Sequence, residues 1–226
     1  MTGRSGRLLV FEGAEGVGKT TQIRRLCQTL AERGIRYLGV REPGGTAIGN
    51  EIRRLLLEPG RDMFARTEAL LFMASRAQLV EGDIRAALDR GELVIADRFF
   101  LSTYAYQIAG RGLPENEVIS ANRFATGGLV PDLTILLRLS VDAALARADS
   151  RGSRDRIEAA DDEFHHRVAA AFDLFADPAW QRRHPEAGLV VAVDAAGSEE
   201  AVAASVMSVL EKTWPETFRP TVGSHP

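Results

Sequence analysis

A glycine-rich loop near the amino terminus limits the folds open to this chain. Residues 13–20 read Gly-Ala-Glu-Gly-Val-Gly-Lys-Thr, the full pattern G-x-x-x-x-G-K-[ST] of a phosphate-binding loop. The apolar run at 8–11 predicts a buried strand before the loop, and Ile23, Leu26 and Leu30 predict a helix after it. Because the pattern has physical meaning only between a strand and a helix, this position favours a phosphate site over an ordinary glycine-rich turn.

The residues of this loop have distinct chemical roles. Gly13, Gly16 and Gly18 permit backbone angles that turn successive N–H groups toward phosphate oxygens, with the positive end of the helix behind them. We expect Lys19 to reach the β- and γ-phosphates of a nucleotide and the Thr20 hydroxyl to bind Mg²⁺. The predicted ATP site contains Gly13, Gly16, Val17, Gly18, Lys19, Thr20 and Thr21.

Size and composition narrow the class of protein. The 226 residues suit one domain, and fractions of 45% hydrophobic and 26% charged residues are typical of a soluble globular protein. The net charge of −3 argues against a general nucleic-acid binder, and no apolar run is long enough to span a membrane. Residues 1–6 lack the apolar segment of a secretion signal, so we expect a cytoplasmic protein.

Short apolar runs of strand type alternate with longer helical patterns along the chain. This alternation predicts βαβ units, so the expected fold class is α/β, with a central parallel five-stranded sheet flanked by helices in three layers. One long helical pattern fills residues 65–90 and ends at Gly91. The predicted strands lie at about 7–12, 35–41, 92–96, 132–139 and 188–194.

A polar, arginine-rich segment interrupts the helical sequence near residue 150. Residues 150–158 read Ser-Arg-Gly-Ser-Arg-Asp-Arg-Ile-Glu, a composition that suits a mobile loop over an anionic ligand but also a solvated surface turn. We expect one domain at 1–212 with a short lid at about 149–159. The tail at 213–226 contains three prolines and no periodicity, and we expect it to be poorly ordered.

Four further segments choose among the many proteins that carry a phosphate loop. They are Arg-Glu-Pro-Gly-Gly-Thr at 41–46, Leu-Phe-Met-Ala-Ser-Arg-Ala-Gln at 71–78, Asp-Arg-Phe-Phe-Leu-Ser-Thr-Tyr-Ala-Tyr-Gln at 97–107 and Asp-Arg-Ile-Glu at 155–158. In this order, and together with the loop, they resemble thymidylate kinases from about Leu8 to Leu210. Phe99 is a departure, because many members of that family have tyrosine there.

The resemblance implies a P-loop kinase that transfers the γ-phosphoryl group of ATP to dTMP, giving dTDP and ADP. It also implies Mg²⁺ as the cofactor, ATP and dTMP as substrates and a homodimer, with no nucleic-acid or membrane partner. A general base is not obligatory, because the acceptor is already an oxyanion and catalysis is largely positioning with electrostatic stabilisation.

The family assigns residues after the strands to the acceptor phosphate and sugar. It implies that Arg98 and Arg41 bind the 5′-phosphate of dTMP, that Glu15 bonds to the 3′-hydroxyl and that Tyr106 lies close to the 2′ carbon. Asp97 ends an apolar strand, where a carboxylate can hold Mg²⁺ through water. The alternatives are a structural ion pair of Asp97 with Arg98 and core positions for Tyr106 and for Phe72 on the long helix.

Base recognition falls on the long helix. Phe72 and Arg76 are four residues apart and therefore share a helical face. By resemblance, the ring stacks on thymine and the guanidinium donates to O4, which would reject the amino group of cytosine. Ser102 and Gln107 are predicted to contact the remaining edge of the base.

Arginines of the lid complete the predicted site. Some thymidylate kinases carry an arginine in the phosphate loop and others supply arginines from the lid; here the loop position is Gly16, while Arg151, Arg154 and Arg156 cluster in the lid. We therefore expect Arg154 and Arg156 to be catalytic, together with Lys19 and Arg98. Arg147 is predicted to stack on adenine, with an ordinary surface arginine as the alternative.

Two rival functions remain open at this point. Another nucleoside or nucleotide P-loop kinase is the first, and a deoxynucleoside kinase among them would need a carboxylate base for a neutral 5′-hydroxyl. A non-catalytic nucleotide-binding protein of the same fold is the second. The presence of Lys19, Thr20, Asp97 and Arg98 argues against the second.

Overall fold

Five parallel strands form the centre of the molecule. The computed structural model describes residues 6–149 and 155–218. The strands are β1 (Arg7–Glu12), β2 (Tyr37–Arg41), β3 (Leu93–Asp97), β4 (Leu133–Arg138) and β5 (Val190–Asp194). Their order in the sheet is β2-β3-β1-β4-β5, with every neighbouring pair parallel. The predicted five-stranded parallel sheet is confirmed.

Helices cover both faces of the sheet. The α-helices are α1 (Lys19–Glu32), α2 (Ala47–Leu57), α3 (Ala65–Leu79), α4 (Arg85–Asp89), α5 (Phe100–Thr103), α6 (Glu115–Thr126), α7 (Val141–Asp149), α8 (Asp162–Phe175), α9 (Pro178–Arg183), α10 (Glu199–Thr213) and α11 (Pro215–Phe218). Two π-helical stretches, Val80–Ile84 and Tyr104–Gly110, continue α3 and α5, and a 3₁₀ turn covers Pro185–Ala187. Within the described ranges, no helix is long and apolar enough to cross a membrane.

Alternate residues of each strand feed two separate hydrophobic cores, because successive side chains point to opposite faces of a sheet. On β1, Leu8 and Val10 pack in a core with residues of the long helical segment and α8. Leu9 and Phe11 pack in a second core with residues of α1 and α10. The three-layer α/β architecture expected from the sequence is therefore confirmed.

The carboxyl ends of three strands bring the motif segments to one edge of the sheet. Phe11 on β1 and Arg41 on β2 are both in register with Asp97 on β3. Since β1 lies between β3 and β4, the chain order changes direction here, and ligands of open α/β sheets bind at such a point. The phosphate loop follows β1 directly and lies at this edge.

The segment after α10 differs from its expectation. Trp214 and Phe218, four residues apart, are 6% and 0% exposed and belong to the core that contains α1 and α10. Arg33 Nη1 also donates to the Phe218 carbonyl over 2.7 Å. The start of the predicted disordered tail is therefore ordered, because two aromatic rings one turn apart bury together. Residues 219–226 lie outside the described residues.

Candidate active site

A cavity of about 800 Å³ lies at the carboxyl edge of the sheet. The phosphate loop and the segments after β2 and β3 line it together with the middle of α3. Gly13 and Arg156 are the predicted site residues within the described ranges that do not line it. The predicted residues that do are Glu15, Gly16, Val17, Gly18, Lys19, Thr20, Thr21, Arg41, Phe72, Arg76, Asp97, Arg98, Ser102, Tyr106, Gln107 and Arg147.

The phosphate loop has the backbone that its glycines predict. Gly13, Gly16 and Gly18 have φ of 137°, 77° and 95°, values that other residues resist. The Lys19 ammonium folds back over the loop and donates to the carbonyls of Gly13 (2.9 Å) and Ala14 (2.8 Å). Burial, aided by the nearby positive charge of Arg98, lowers the pKa of Lys19 to about 8. A phosphate at this loop would restore the usual preference for the charged form.

Gly16 is required by packing as well as by backbone angle. A Cβ atom at this position would lie 2.0 Å from the carbonyl oxygen of Ala144 on α7. An arginine in the loop would therefore force α7 away. The present position of α7 therefore does not leave room for an arginine at residue 16.

Thr20 and Asp97 face each other at the opening of the loop. The Thr20 hydroxyl lies 3.4 Å from Asp97 Oδ2. A hydroxyl and a carboxylate are hard oxygen ligands that fit Mg²⁺. Among the described residues no group of three or more His, Cys, Asp or Glu could hold a metal by itself. The donor set therefore suits an ion that also binds phosphate oxygens and water, as Mg²⁺ does in phosphoryl-transfer sites.

Arg98 occupies a strained position at the centre of the cavity. Its φ of 73° is in the left-handed region, which residues other than glycine seldom adopt and which is held here by the surroundings. Its backbone N–H donates to Phe11 O (3.0 Å), and Nη1 donates to Gly13 O (3.2 Å) and Ser102 Oγ (3.1 Å). Nη2 forms an ion pair with Glu15 of the phosphate loop. Arg98 thus joins the loop to the segment after β3.

Glu12 holds the backbone of the segment that follows Arg98. The carboxylate is fully buried and accepts from the backbone N–H groups of Phe99 (2.8 Å) and Ser102 (3.0 Å). It also accepts from the Ser102 hydroxyl over 2.7 Å. Glu12 therefore caps the start of α5, where orphan N–H groups favour a negative charge. Sequence reasoning did not single out this residue.

Tyr106 is both a core aromatic and a wall of the cavity. Its ring centroid lies 6.2 Å from those of Phe164 and Phe172, and its hydroxyl lies 3.3 Å from Arg98 Nη2. Burial raises the pKa of the phenol well above its usual value, so the hydroxyl keeps its proton. Phe72, half-buried on α3, forms another wall. Both rings therefore line the cavity, and Tyr106 also belongs to the hydrophobic core.

Arg76 is buried and almost fully bonded to protein. The guanidinium is 2% exposed, and four of its five N–H groups have acceptors among the described residues. One N–H, on Nη2, remains for a ligand in the cavity that Arg76 lines. The four acceptors are Glu42 Oε2 (2.6 Å), Thr103 Oγ1 (2.8 Å), Asn122 Oδ1 (2.5 Å) and the Phe99 carbonyl (2.8 Å).

Glu42 and Arg76 form a buried ion pair with little else to support the carboxylate. Burial raises the pKa of Glu42 to about 7 despite the adjacent positive charge of Arg76. Glu42 Oε1 and Asn122 Nδ2 are buried without a hydrogen-bond partner in the described part of the chain. The removal of either charge would leave the other uncompensated.

Two further arginines lie at the cavity margin. Arg41 is exposed at the end of β2, and Arg147 on α7 donates from Nη1 to the Ala195 carbonyl over 3.3 Å. Arg53 also lines the cavity, and its Nη1 donates to the carbonyl of Pro43 over 2.9 Å. Sequence reasoning missed Arg53, because an arginine on an amphipathic helix resembles any surface residue. Thr103, which is 2% exposed on α5 and also lines the cavity, was not singled out from the sequence either.

Residues 155–158, at the end of the predicted lid, form a capping box. Asp155 Oδ1 accepts from the N–H groups of Ile157 (2.8 Å) and Glu158 (2.9 Å), and Glu158 Oε2 accepts from the Asp155 N–H (3.1 Å). This reciprocal pattern closes a single helical turn. Asp155, Ile157 and Glu158 line the cavity. The spacing Asp-x-x-Glu is a sequence signal that could have predicted this turn.

Arg156, which the sequence predicts to be catalytic, does not line the cavity and is bonded to protein groups. Its Nε donates to the Leu56 carbonyl and its Nη2 to Glu68 Oε2, each over 2.7 Å. Asp155 and Glu158, on either side of Arg156 in the sequence, line the cavity, whereas Arg156 does not. Arg151 and Arg154, the other lid arginines, lie outside the described residues.

Comparison with known proteins agrees with the geometry. The model of the family described as thymidylate kinase matches residues 11–203. A protein named thymidylate kinase from Symbiobacterium thermophilum is 44% identical over 211 residues, 92% of this chain and 94% of the relative. Its namesake from an Exiguobacterium species is 42% identical over 204 residues, 90% of this chain and 93% of the relative. That from Desulforudis audaxviator is 49% identical over 170 residues, 74% of this chain and 76% of the relative.

Proposed function

The chain belongs to the thymidylate kinase family, and on this premise we propose how its residues transfer the γ-phosphoryl group of ATP to dTMP. The observation that carries the proposal is a single cavity in which the phosphate loop faces Arg98, Phe72 and Arg76. A nucleoside monophosphate kinase has to hold a donor and an acceptor phosphate in line, and one cavity with both kinds of group meets that need.

On the donor side, the loop N–H groups and Lys19 hold the ATP phosphates. Thr20 directly and Asp97 through water would hold Mg²⁺, which is supported by the 3.4 Å separation of the Thr20 hydroxyl and Asp97 Oδ2. The ion would supply charge neutralisation on the transferring group. Arg147 lies beside Ala195 at the outer margin of the cavity, a position suited to a flat base.

On the acceptor side, Arg98 and Arg41 hold the 5′-phosphate of dTMP. Arg98 is paired with Glu15 before the substrate binds, so the phosphate takes the place of a carboxylate and the arginine remains compensated. Glu15, which lines the same cavity, would accept from the 3′-hydroxyl of the sugar. The Tyr106 hydroxyl lies 3.3 Å from Arg98 Nη2. Tyr106 forms the part of the cavity wall against which a 2′-hydroxyl would lie.

Recognition of the base uses Phe72 as a stacking surface and Arg76 as a donor. Only one Arg76 N–H is uncommitted among the described residues, and it can meet one acceptor. Thymine O4 is an acceptor, whereas the cytosine 4-amino group is a donor and would face a donor. Ser102 and Gln107 lie on the same side of the cavity and contact the remaining edge.

Charge on the transferring phosphoryl group is spread over more oxygens than Lys19 and Mg²⁺ cover. With no arginine in the loop, Arg151 and Arg154 of the lid are the residues that supply the rest. The acceptor phosphate is already an oxyanion, so no side chain has to remove a proton.

The test is a coupled assay of ADP release with dTMP, dUMP, dCMP and thymidine, each with Mg²⁺ and with excess chelator. We expect dTMP to exceed dUMP by about 10- to 200-fold, since a methyl group adds only apolar burial, and dCMP to be slower still. Activity should be lost with the chelator. Faster turnover of thymidine than of dTMP would favour a deoxynucleoside kinase, and no turnover at all would favour a binding protein.

The proposed assembly is a homodimer through α3 and α6. Leu70 and Phe124 on these helices are 62% and 90% exposed, and Phe64, directly before α3, is 83% exposed, which is unusual for large apolar residues on an isolated surface. Sedimentation should give a dimer that Phe124→Glu dissociates. Leu189→Glu, at a residue 49% exposed outside these helices, is the control and should leave the dimer intact.

The proposed location is the cytoplasm, because the two substrates are multiply charged nucleotides that do not cross membranes unaided.

A further inference from the structure

Glu68 is a buried carboxylate that the proposed mechanism does not use. It lies on α3, one turn before Phe72, and it is 0% exposed. Burial would raise its pKa, but hydrogen bonds and charge from Arg111, with hydrogen bonds from Arg156 and Gln107, hold that pKa below its ordinary value. Glu68 is therefore an anion with three partners.

The partners of Glu68 come from two separate parts of the chain, and one of them, Gln107, also lines the cavity. Oε1 accepts from Gln107 Nε2 and from Arg111 Nε, both over 3.1 Å. Oε2 accepts from Arg111 Nη2 over 3.0 Å and from Arg156 Nη2 over 2.7 Å. Gln107 belongs to the helix that also carries Tyr106, whereas Arg156 belongs to the end of the lid.

Arg156 is held on several sides. Its side chain is 10% exposed, its Nε donates to the Leu56 carbonyl over 2.7 Å and its backbone N–H donates to Leu57 O over 3.2 Å. These bonds attach the lid to the end of α2, and the ion pair with Glu68 attaches it to α3. An arginine so committed is not a free cation for a phosphate.

We propose that Glu68 is a positioning residue that couples the end of the lid to the dTMP site, with Arg156 as its link to the lid. The proposal rests on the function proposed above, since it assumes that dTMP binds between Phe72, Gln107 and the lid. Arg156 acts by placing Asp155 and Glu158, the two neighbouring carboxylates that line the cavity.

Glu68 also fixes the orientation of the Gln107 amide. Because the carboxylate accepts from Nε2, the flipped amide would bring two acceptors together. The Gln107 carbonyl oxygen is thus held away from Glu68 and keeps one orientation in the cavity wall. A ligand that binds at Gln107 therefore meets a fixed group and orders no additional side chain.

The experiment is a double-mutant cycle with Arg156→Ala and Glu68→Gln. Each single variant should lower kcat/KM for dTMP by about 10- to 100-fold, as expected for a misplaced binding group, with most of the change in KM for dTMP and little in KM for ATP. The double variant should be no worse than the poorer single variant, within about twofold, because both changes break the same link. Hydrogen exchange at 155–160 should be faster in all three.

Two further variants keep the result interpretable if Glu68→Gln does not fold. Arg156→Lys preserves the charge beside Glu68 and should recover much of the loss in KM for dTMP. Arg61→Ala removes an exposed arginine that pairs with Glu58 in the loop after α2, and it should match the unaltered enzyme.

Losses that multiply in the double variant would overturn the proposal. So would an Arg156→Ala variant with low kcat but unchanged KM for dTMP and unchanged exchange at 155–160, which indicates a direct contact with the transferring group. Failure of the proposed function is a separate result, because the unaltered chain would then not phosphorylate dTMP, whereas the exchange measurement needs no activity.

Discussion

The phosphate loop and Asp97 form the donor half of the cavity. Here Lys19 donates to carbonyls of its own loop and has no carboxylate partner in the described residues. In the acceptor half, Arg98 is paired with Glu15 and Arg76 with Glu42 before any substrate is present. The donor half is thus a preformed receptor for phosphate. In the acceptor half, the substrate has to replace existing bonds between protein side chains when it binds.

This difference follows from where the charges lie. Lys19 needs no carboxylate partner before phosphate binds, because it donates to carbonyls of the loop and its pKa is lowered to about 8. Buried arginines need a negative partner before the substrate binds, because an uncompensated buried guanidinium strongly destabilises the fold. The acceptor half therefore contains its own carboxylates, and variants in the two halves should fail in different ways.

Replacement of Lys19 by Met should produce the largest functional loss. The charge serves the donor phosphates in the transition state, so we expect kcat to fall by about 100- to 1,000-fold or more, with dTMP binding nearly unchanged. Steady-state kinetics and calorimetric titration with dTMP measure the two quantities. If the variant keeps most of its turnover, the loop is not the donor site.

Replacement of Arg76 by Met should damage the fold more than the chemistry. It leaves Glu42 buried without its partner, and the loss of one member of a buried ion pair costs about 3–5 kcal/mol of unfolding free energy. Urea denaturation measures this. Arg54→Ala, which removes an exposed pair with Glu51, should leave the midpoint nearly unchanged. If the unfolding free energy of Arg76→Met equals that of the unaltered protein, the acceptor half does not depend on its buried ion pair, and the proposed difference between the two halves is wrong.

The donor half could be predicted from sequence because its determinants are local. The left-handed angles at Gly13, Gly16 and Gly18 and the positions of Lys19 and Thr20 all follow from eight consecutive residues. The strands that position Asp97 could also be predicted. Strands buried on both faces have nearly continuous apolar sequences, which differ from the periodic pattern of amphipathic helices.

The lid could not be predicted in the same way. Whether Arg156 or its neighbours face the cavity depends on Glu68, which is 88 residues away. Asp155, Ile157 and Glu158 of the Asp-Arg-Ile-Glu segment line the cavity, but a motif does not state which of its side chains points inward. Trp214 and Phe218 illustrate the same limit, because their burial depends on helices far along the chain.

A change at Tyr106 tests whether the acceptor half is rigid. The ring packs on Phe164 and Phe172, so it cannot retreat from a 2′-hydroxyl. Tyr106→Ala should narrow the preference for dTMP over its ribonucleotide by about tenfold, with some loss of affinity through lost packing. The ratio of kcat/KM for the two nucleotides measures it, and Tyr106→Phe is the control that keeps the ring. An unchanged ratio in the alanine variant would return Tyr106 to a purely structural role.

The smallest effect concerns the proton on Lys19. With a pKa of about 8, Lys19 is charged at pH 7 both before and after ATP binds, so binding takes up little proton there. At pH 8 about half of the unliganded molecules lack this proton, and the phosphates of ATP favour the charged form. Binding should then take up about half a proton, and affinity for ATP should fall as the pH rises above 8. Calorimetric titrations at pH 8 in two buffers of different ionisation enthalpy measure the uptake, and Lys19→Met should abolish it. Equal heats in the two buffers would mean that Lys19 is fully charged before ATP arrives, and that the donor half, like the acceptor half, already compensates its cation.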